Sequence, residues 1–409
     1  MTSSKTNLPL TIPRSWELVV RPFRSFCRTE SASSLLLVAT SLLAFAWANS
    51  RFSASYHWLV AQKIGVSAAG HRLDWALDRW INDGLMTAFF FVVGMEIKRE
   101  LVVGQLSEIR RALLPAIAAA GGMLVPALTF TAIAQGTTGT RGWGIPVATD
   151  IAFSLACLAL LRDRIPASLV AFLAALAIFD DLGAVLVLAL GYGRAVHWAA
   201  LAAAGTVTGA LVILDWCKVQ RPWPYLVLGA MLWLAVLGSG VHATLAGAVL
   251  GLCIPAGPGR DPADARIQEA GSVLDRLLSA LHPWVAFLVV PVFALVNAGV
   301  TLPPSGKLAT RVSLGVAAGL FLGKQAGIFA TTLVAVKVGW TPMPQHSTWR
   351  QLYGVAVLGG IGFTMSLFVG ALAFGQQPAL EAQAKIGILA GSLMSATGGL
   401  LLLRFSRPA

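Results

Sequence analysis

The 409-residue chain is 56% hydrophobic and 12% charged, with a mean hydropathy of +0.75. A soluble domain carries roughly 25% charged residues, so this composition excludes a water-soluble globular protein and points to an all-α polytopic membrane protein. The net charge of +12 would suggest a nucleic-acid partner in a soluble chain. Here the basic residues fall in loops, topology accounts for them, and no nucleic-acid partner is expected.

Residues 1–30 are polar and basic, with Lys5, Arg14, Arg21, Arg24 and Arg28. No small-residue cleavage site stands out, so the first apolar stretch reads as an uncleaved span. A span needs about 20 apolar residues. Twelve candidates follow, near 31–50, 80–97, 112–133, 144–161, 166–191, 196–214, 223–239, 241–254, 277–299, 312–336, 352–374 and 383–403. An even number puts both termini on one side. The segments on that side (1–30, 98–111, 162–165, 215–222, 255–276, 337–351 and 404–409) hold 20 of the 30 Lys and Arg, and the opposite loops hold nine. That bias marks the terminal side as cytoplasmic. The expected layout is a cytoplasmic segment 1–30, a transmembrane domain 31–404 and a cytoplasmic tail 405–409. The loop 51–79 carries a candidate hairpin at 63–73. The Gly/Pro-rich and charged loop 255–276 divides the spans into two groups. Cys27, Cys157, Cys217 and Cys253 lack metal or redox spacing, so neither a disulfide nor a metal cluster is expected.

Three carboxylates interrupt this apolar pattern: Asp150 in the fourth span, and Asp180 with Asp181 in the fifth. At mid-membrane each costs about 2.5–3.5 kcal/mol on insertion scales, so their default reading is an ion or proton pathway. Pro146 lacks an amide donor, and Thr149 and Asp150 can bond nearby backbone groups. The fourth span is therefore expected to break near Asp150. The run Gly359-Gly360-Ile361-Gly362 predicts a second break in the eleventh span. Interrupted segments at matching places in two halves point to a transporter's binding site. Spans 3–5 and 10–12 are the matching halves if they are inverted repeats. Facing helix ends bring like poles together; a carboxylate such as Asp150 suits facing N-termini, and a cation such as Lys324 suits facing C-termini. Asp180 and Asp181 point about 100° apart on a helix. One can line a cavity while the other pairs with Lys324, the one lysine deep in a span. Glu96 and Glu100 share a helix face at the end of the second span; they read as interfacial charges or as a site of cation access and pH response. His242 opens the eighth span, as a packing residue or a pH sensor.

Hard cations prefer oxygen ligands. Desolvation and a neighbouring ammonium act in opposite senses on a carboxylate's proton affinity. A site that must lose its proton before holding a cation couples two opposite fluxes without covalent chemistry and without a cofactor. An intramembrane aspartyl protease is the second reading, but the Gly-x-Gly-Asp motif of such enzymes is absent around Asp150 and Asp181. A symporter for an organic anion is the third. It calls for more Ser, Thr, Asn and Gln than these Ala-, Leu-, Val- and Gly-rich spans contain.

The stretches FFFVVGMEIKREL (89–101), ATDIAFSLA (148–156), FDDLGAV (179–185), GVHATLAG (240–247), HPWVAF (282–287), NAGV (297–300), LGK (322–324) and GGIGFTMSLF (359–368) together resemble the NhaA family of sodium/proton antiporters. They run across nearly the whole chain in family order. The resemblance implies about twelve transmembrane helices with inverted repeats, and two discontinuous helices crossing at mid-membrane. It implies a secondary, electrogenic, pH-activated exchange of cytoplasmic Na⁺ or Li⁺ for external H⁺ across a bacterial inner membrane. It further implies a homodimer with a periplasmic hairpin, where residues 63–73 fit. Asp181 would be the principal cation- and proton-binding carboxylate, Asp180 would support it and pair with Lys324, and Thr149 and Asp150 would lie where the helices cross. One region departs from the family pattern: around Asp275–His282 the chain keeps His282 but has Leu278 and Ser279, so its pH response is expected to differ.

Overall fold

The computed structural model describes residues 30–68, 71–161, 164–192, 196–257, 272–302 and 308–406. Most of the basic segment 1–30, most of the 255–276 loop and the tail beyond 406 lie outside the described residues. The fold is helical: α1 Glu30–Ala48, α2 Ser53–Ala61, α3 Leu77–Val102, α4 Ile109–Ala134, a 3₁₀ helix Thr138–Val147, α5 Ile151–Ala159, α6 Ala167–Gly191, α7 Trp198–Trp216, α8 Pro222–Ser239, α9 Thr244–Leu252, α10 Val273–Asn297, α11 Arg311–Lys337, α12 Trp349–Leu358, α13 Phe363–Phe374 and α14 Pro378–Arg404. Between α2 and α3, the strands β1 Lys63–Ala68 and β2 His71–Ala76 pair antiparallel with Lys63 opposite Ala76, so the hairpin runs three residues beyond the stretch singled out in the sequence.

Eight of these helices are long and apolar enough to cross a membrane, and eleven spans result if each of three bent helix pairs counts once. The difference from twelve lies at 241–254. Gly240 adopts a left-handed conformation (φ +85°) that ends α8, and Ile254 is followed by a proline. Between these stops α9 has nine residues, about 14 Å of helix, against a hydrocarbon core of about 30 Å. The first bent pair, α1 with α2, turns through 113°, so α2 leaves the direction of the first span.

Glycine lets α9 lie against α3 with backbones in contact. A Cβ on Gly247 would sit 2.2 Å from Thr87 O, and one on Gly251 would sit 2.5 Å from Phe91 O. Without a hydrophobic drive between helices in lipid, such close approach is what holds a short helix in place. Lys98 fastens the same pair at its end: its Nζ donates to Leu252 O at 2.9 Å and to Asp215 Oδ2 at 2.7 Å, the latter on α7. A lysine at the C-terminal ends of two helices also answers their negative poles. Gly247→Val forces α3 and α9 apart. It is expected to cost about 1–3 kcal/mol or more, read as a lowered thermal unfolding midpoint of the detergent-purified protein, whereas Gly205→Val, with open space around it, should leave that midpoint close to wild type.

Candidate functional site

Two of the bent pairs are the interrupted segments anticipated from the sequence. The 3₁₀ helix Thr138–Val147 and α5 meet at 44°, and α12 and α13 meet at 41°. Each break has a local cause. Pro146 ends the first half, and Asp150 then takes the N-cap of α5, its Oδ1 accepting from Phe153 N at 3.0 Å. In the second, Gly360 and Gly362 serve space rather than unusual dihedrals: a Cβ on Gly360 would meet Leu320 O at 2.4 Å, and one on Gly362 would meet Ala148 O at 3.0 Å.

The two breaks bond to each other. Asp150 N donates to Ile361 O at 2.6 Å, and Asp150 Oδ2 accepts from Thr364 N at 3.0 Å and from Thr364 Oγ1 at 2.5 Å. One carboxylate thus caps the N-termini of both α5 and α13. Hydroxyls answer the opposite ends: Ser154 Oγ donates to Leu358 O at 3.1 Å and Ser366 Oγ to Ile145 O at 2.7 Å. Sequence reasoning missed Ser154, Thr364 and Ser366. The available signal was a hydroxyl residue within a turn or so past each break, Ser154 after the first and Thr364 and Ser366 after the second.

On α6, Asp180 and Asp181 diverge. Asp180, with 0% exposure, ion-pairs through Oδ2 with Lys324 of α11. Thr149 Oγ1 lies 2.6 Å from Asp180 Oδ2 and 2.8 Å from Gly359 O, and it accepts from Lys324 Nζ at 2.8 Å. Its single proton serves one of these acceptors at a time. Asp181 instead lines a cavity of about 440 Å³, together with Thr149, Asp150, Thr364 and Met365. It is 1% exposed, and its Oδ1 has no hydrogen-bonding partner among the described residues.

From Asp181 the cavity runs past Val92, Val93 and Val285 to Glu96, Arg99, Glu100 and His282. That end reaches solvent, since the His282 side chain is 59% exposed. Its charges are paired across helices: His282 Nδ1 lies 3.2 Å from Glu96 Oε1, and Arg99 Nε lies 3.6 Å from Asp275 Oδ1. One helical turn beyond the lining residues Val93, Val290 and Met365, the side chains of Phe90, Phe293 and Phe368 are buried in one aromatic layer, with Phe368 5.3 Å from Phe90 and 6.2 Å from Phe293 between ring centroids. His242 is not on this cavity. Its Nε2 lies 2.8 Å from Tyr192 O, while Tyr192 Oη accepts from Gly144 N at 3.0 Å and donates to Arg141 O at 2.9 Å. It therefore stands at the end of α6 and beside the Thr138–Val147 half of the first interrupted segment.

This is a multi-pass α-helical membrane protein in which two interrupted helices meet around buried carboxylates and a lysine. The chain belongs to the Na⁺/H⁺ antiporter 1 family, whose model matches residues 24–403. It is 49% identical over 389 residues to the Na(+)/H(+) antiporter NhaA of Bordetella parapertussis, an alignment spanning 94% of this chain and 97% of that protein. Similar relatives are the Na(+)/H(+) antiporter NhaA of Rhodospirillum rubrum (48% over 391 residues; 94% and 97%) and the Na(+)/H(+) antiporter NhaA 1 of Pseudomonas syringae pv. syringae (48% over 402 residues; 97% and 98%).

The double cap gives a direct test. Asp150→Ala removes a side-chain cap from two helices and a charge from their positive poles. The expected cost is about 1–3 kcal/mol, read as a fall in thermal unfolding midpoint. Thr364→Val, which removes one of the three bonds to the carboxylate, should fall by less.

Proposed function

We propose that the protein is a secondary Na⁺(Li⁺)/H⁺ antiporter of a bacterial inner membrane, extruding cytoplasmic Na⁺ in exchange for external protons, in which cation and proton compete for Asp181. The observation that carries this is the state of that one side chain. Asp150 is answered by two helix N-termini, Asp180 by Lys324, and the cationic side chains at the mouth by Asp275 and Glu96. Asp181 is the carboxylate of the group without such a partner, dehydrated yet facing a cavity that reaches water. A proton or a small hard cation with oxygen-rich coordination suits it. The Asp181 carboxylate, the Thr149 hydroxyl and water are the ligands at hand. Asp150 is less available, because its two oxygens already accept three hydrogen bonds.

Because the site holds either a proton or a cation, occupancy by one requires release of the other, and competition alone links the fluxes. In this reading the spans number twelve, with α9 completing the short eighth. Spans 3–5 and 10–12 are inverted repeats, and the breaks cross at mid-membrane. Both termini and the mouth at Glu96, Glu100 and His282 face the cytoplasm, where the ion pair between Glu96 and His282 meets incoming cations and pH. The aromatic layer of Phe90, Phe293 and Phe368 closes the periplasmic side and must part for release. His242, bonded to Tyr192 on that side, bears on the pH response through the outer half-helix. The protein works as a homodimer with the β1–β2 hairpin at the interface.

The deciding experiment uses everted membrane vesicles holding a preformed pH gradient. Adding Na⁺ or Li⁺ is expected to dissipate it, and Asp181→Asn should abolish the response while the protein still inserts and purifies. Full activity in Asp181→Asn would remove this site from the mechanism. Electrogenic exchange adds an independent expectation: in proteoliposomes the Na⁺-driven rate should change when a K⁺ diffusion potential is imposed with valinomycin, and an unchanged rate would make the exchange electroneutral.

A further inference from the structure

Lys324 owes its aim to an irregular turn. Along α11 the residues Gly319–Gly323 form a π-helical turn, and Lys324 N–H donates to Gly319 O, five residues back rather than four. Such a turn carries one residue more than an α-helical turn. If it relaxed, the two parts of α11 would rotate against each other by about 100°, and Lys324 could not keep both its anchor in α11 and its bonds to Asp180 and Thr149. Widened turns also leave a backbone carbonyl short of an amide donor, which is costly in a membrane interior.

The next residue supplies a donor. Gln325, 7% exposed inside the span, donates from Nε2 to Phe321 O within the same turn. Its Oε1 accepts from Tyr353 Oη at 2.6 Å. Tyr353 belongs to α12, the first half of the second interrupted segment, and its ring packs edge-on against Phe329 of α11, 5.1 Å between centroids at 76°. A buried amide costs free energy unless both its ends are bonded, and here both are. The chain of contacts runs from α12 through Tyr353 and Gln325 to the turn, and from there to Lys324.

We infer that Gln325 and Tyr353 are positioning residues for transport: together they hold the π-helical turn that aims Lys324 at Asp180 and Thr149, and so link the second interrupted segment to the charge balance beside Asp181. This rests on the antiport reading above. Lys324 also fixes the Thr149 hydroxyl, one of the oxygen ligands at hand for the cation; with the lysine misaimed that ligand loses its placement, so the half-saturating cation concentration rises while the exchange step itself is spared.

The test is Na⁺-driven exchange in proteoliposomes at fixed pH with wild type, Gln325→Leu, Tyr353→Phe and the double variant. Gln325→Leu is expected to raise the half-saturating Na⁺ concentration by about three- to tenfold, the worth of one hydrogen bond in affinity. Its rate at saturating Na⁺ should stay within about twofold of wild type. Tyr353→Phe should move half-saturation less, in the same direction, and the double variant no further than Gln325→Leu. Unchanged half-saturation in both single variants, or a loss confined to the maximal rate, overturns the inference, as does a double variant whose effect is the product of the two. If Gln325→Leu does not fold, Tyr353→Phe decides by the same criterion. A wild-type protein that exchanges nothing on adding Na⁺ or Li⁺ overturns the antiport reading and this inference with it; active wild type with unmoved variants overturns this inference alone.

Discussion

The constraint on which the rest of the structure depends is the placing of two helix N-termini against one carboxylate. A helix N-terminus carries about half a positive charge, so the ends of α5 and α13 present roughly one unit, and Asp150 supplies one unit of the opposite sign. Its oxygens reach Phe153 N, Thr364 N and Thr364 Oγ1. Broken backbone in a bilayer is tolerated where its polar groups are answered within the protein. Asp150 answers the donors, while Thr149, Ser154 and Ser366 lie against carbonyls of the opposing breaks. Donors and carbonyls at both breaks are thus answered by side chains of the opposing break.

That balance is what isolates Asp181. With Asp150 committed to helix ends and Asp180 paired to Lys324, one carboxylate remains without an ion pair of its own, its Oδ1 unbonded among the described residues. The cavity reaches it, and on the proposed reading that is where a mobile charge would enter. The aromatic layer of Phe90, Phe293 and Phe368 sits on α3, α10 and α13, the same helices that line the cavity one turn away. In the proposed mechanism, opening the far side would therefore move elements that already touch the site, with no signal passed through distant ones.

Much of this was legible in the sequence because the costs involved are large. Charged residues in apolar runs, a proline before Thr149-Asp150 and the glycines at 359–362 each violate a strong local rule, and each marks the site. The divergence of Asp180 and Asp181 followed from helical rotation alone, although which one faces the cavity did not. What escaped were features whose signal is weak. Thr364 and Ser366 look like ordinary small residues of a membrane helix. The π-helical turn before Lys324 leaves no compositional trace beyond Gly319 and Gly323, and Gln325 reads as one polar residue among apolar ones. The sequence already bounded the eighth span at 241–254, short of the roughly 20 residues a span needs; what hydropathy did not register is that the helix itself begins only at Thr244 and ends at Leu252.

The adjacency of Asp180 and Asp181 then has a physical meaning. Neighbouring positions on a helix point about 100° apart, so one turn of α6 sends one carboxylate to a buried ion pair and the other to a cavity that opens at the surface, without either leaving the reach of the other's field. At the low effective dielectric of a protein interior, such neighbouring charges are coupled far more strongly than they would be in water. In the proposed mechanism, a charge arriving at Asp181 would therefore be felt by the pair of Asp180 and Lys324, and through Thr149 by the carbonyl of Gly359 at the second break. Two carboxylates on separate helices could be given the same environments, but their separation would change whenever the helices shifted. Placed side by side on α6, they keep their coupling fixed while the helices around them move.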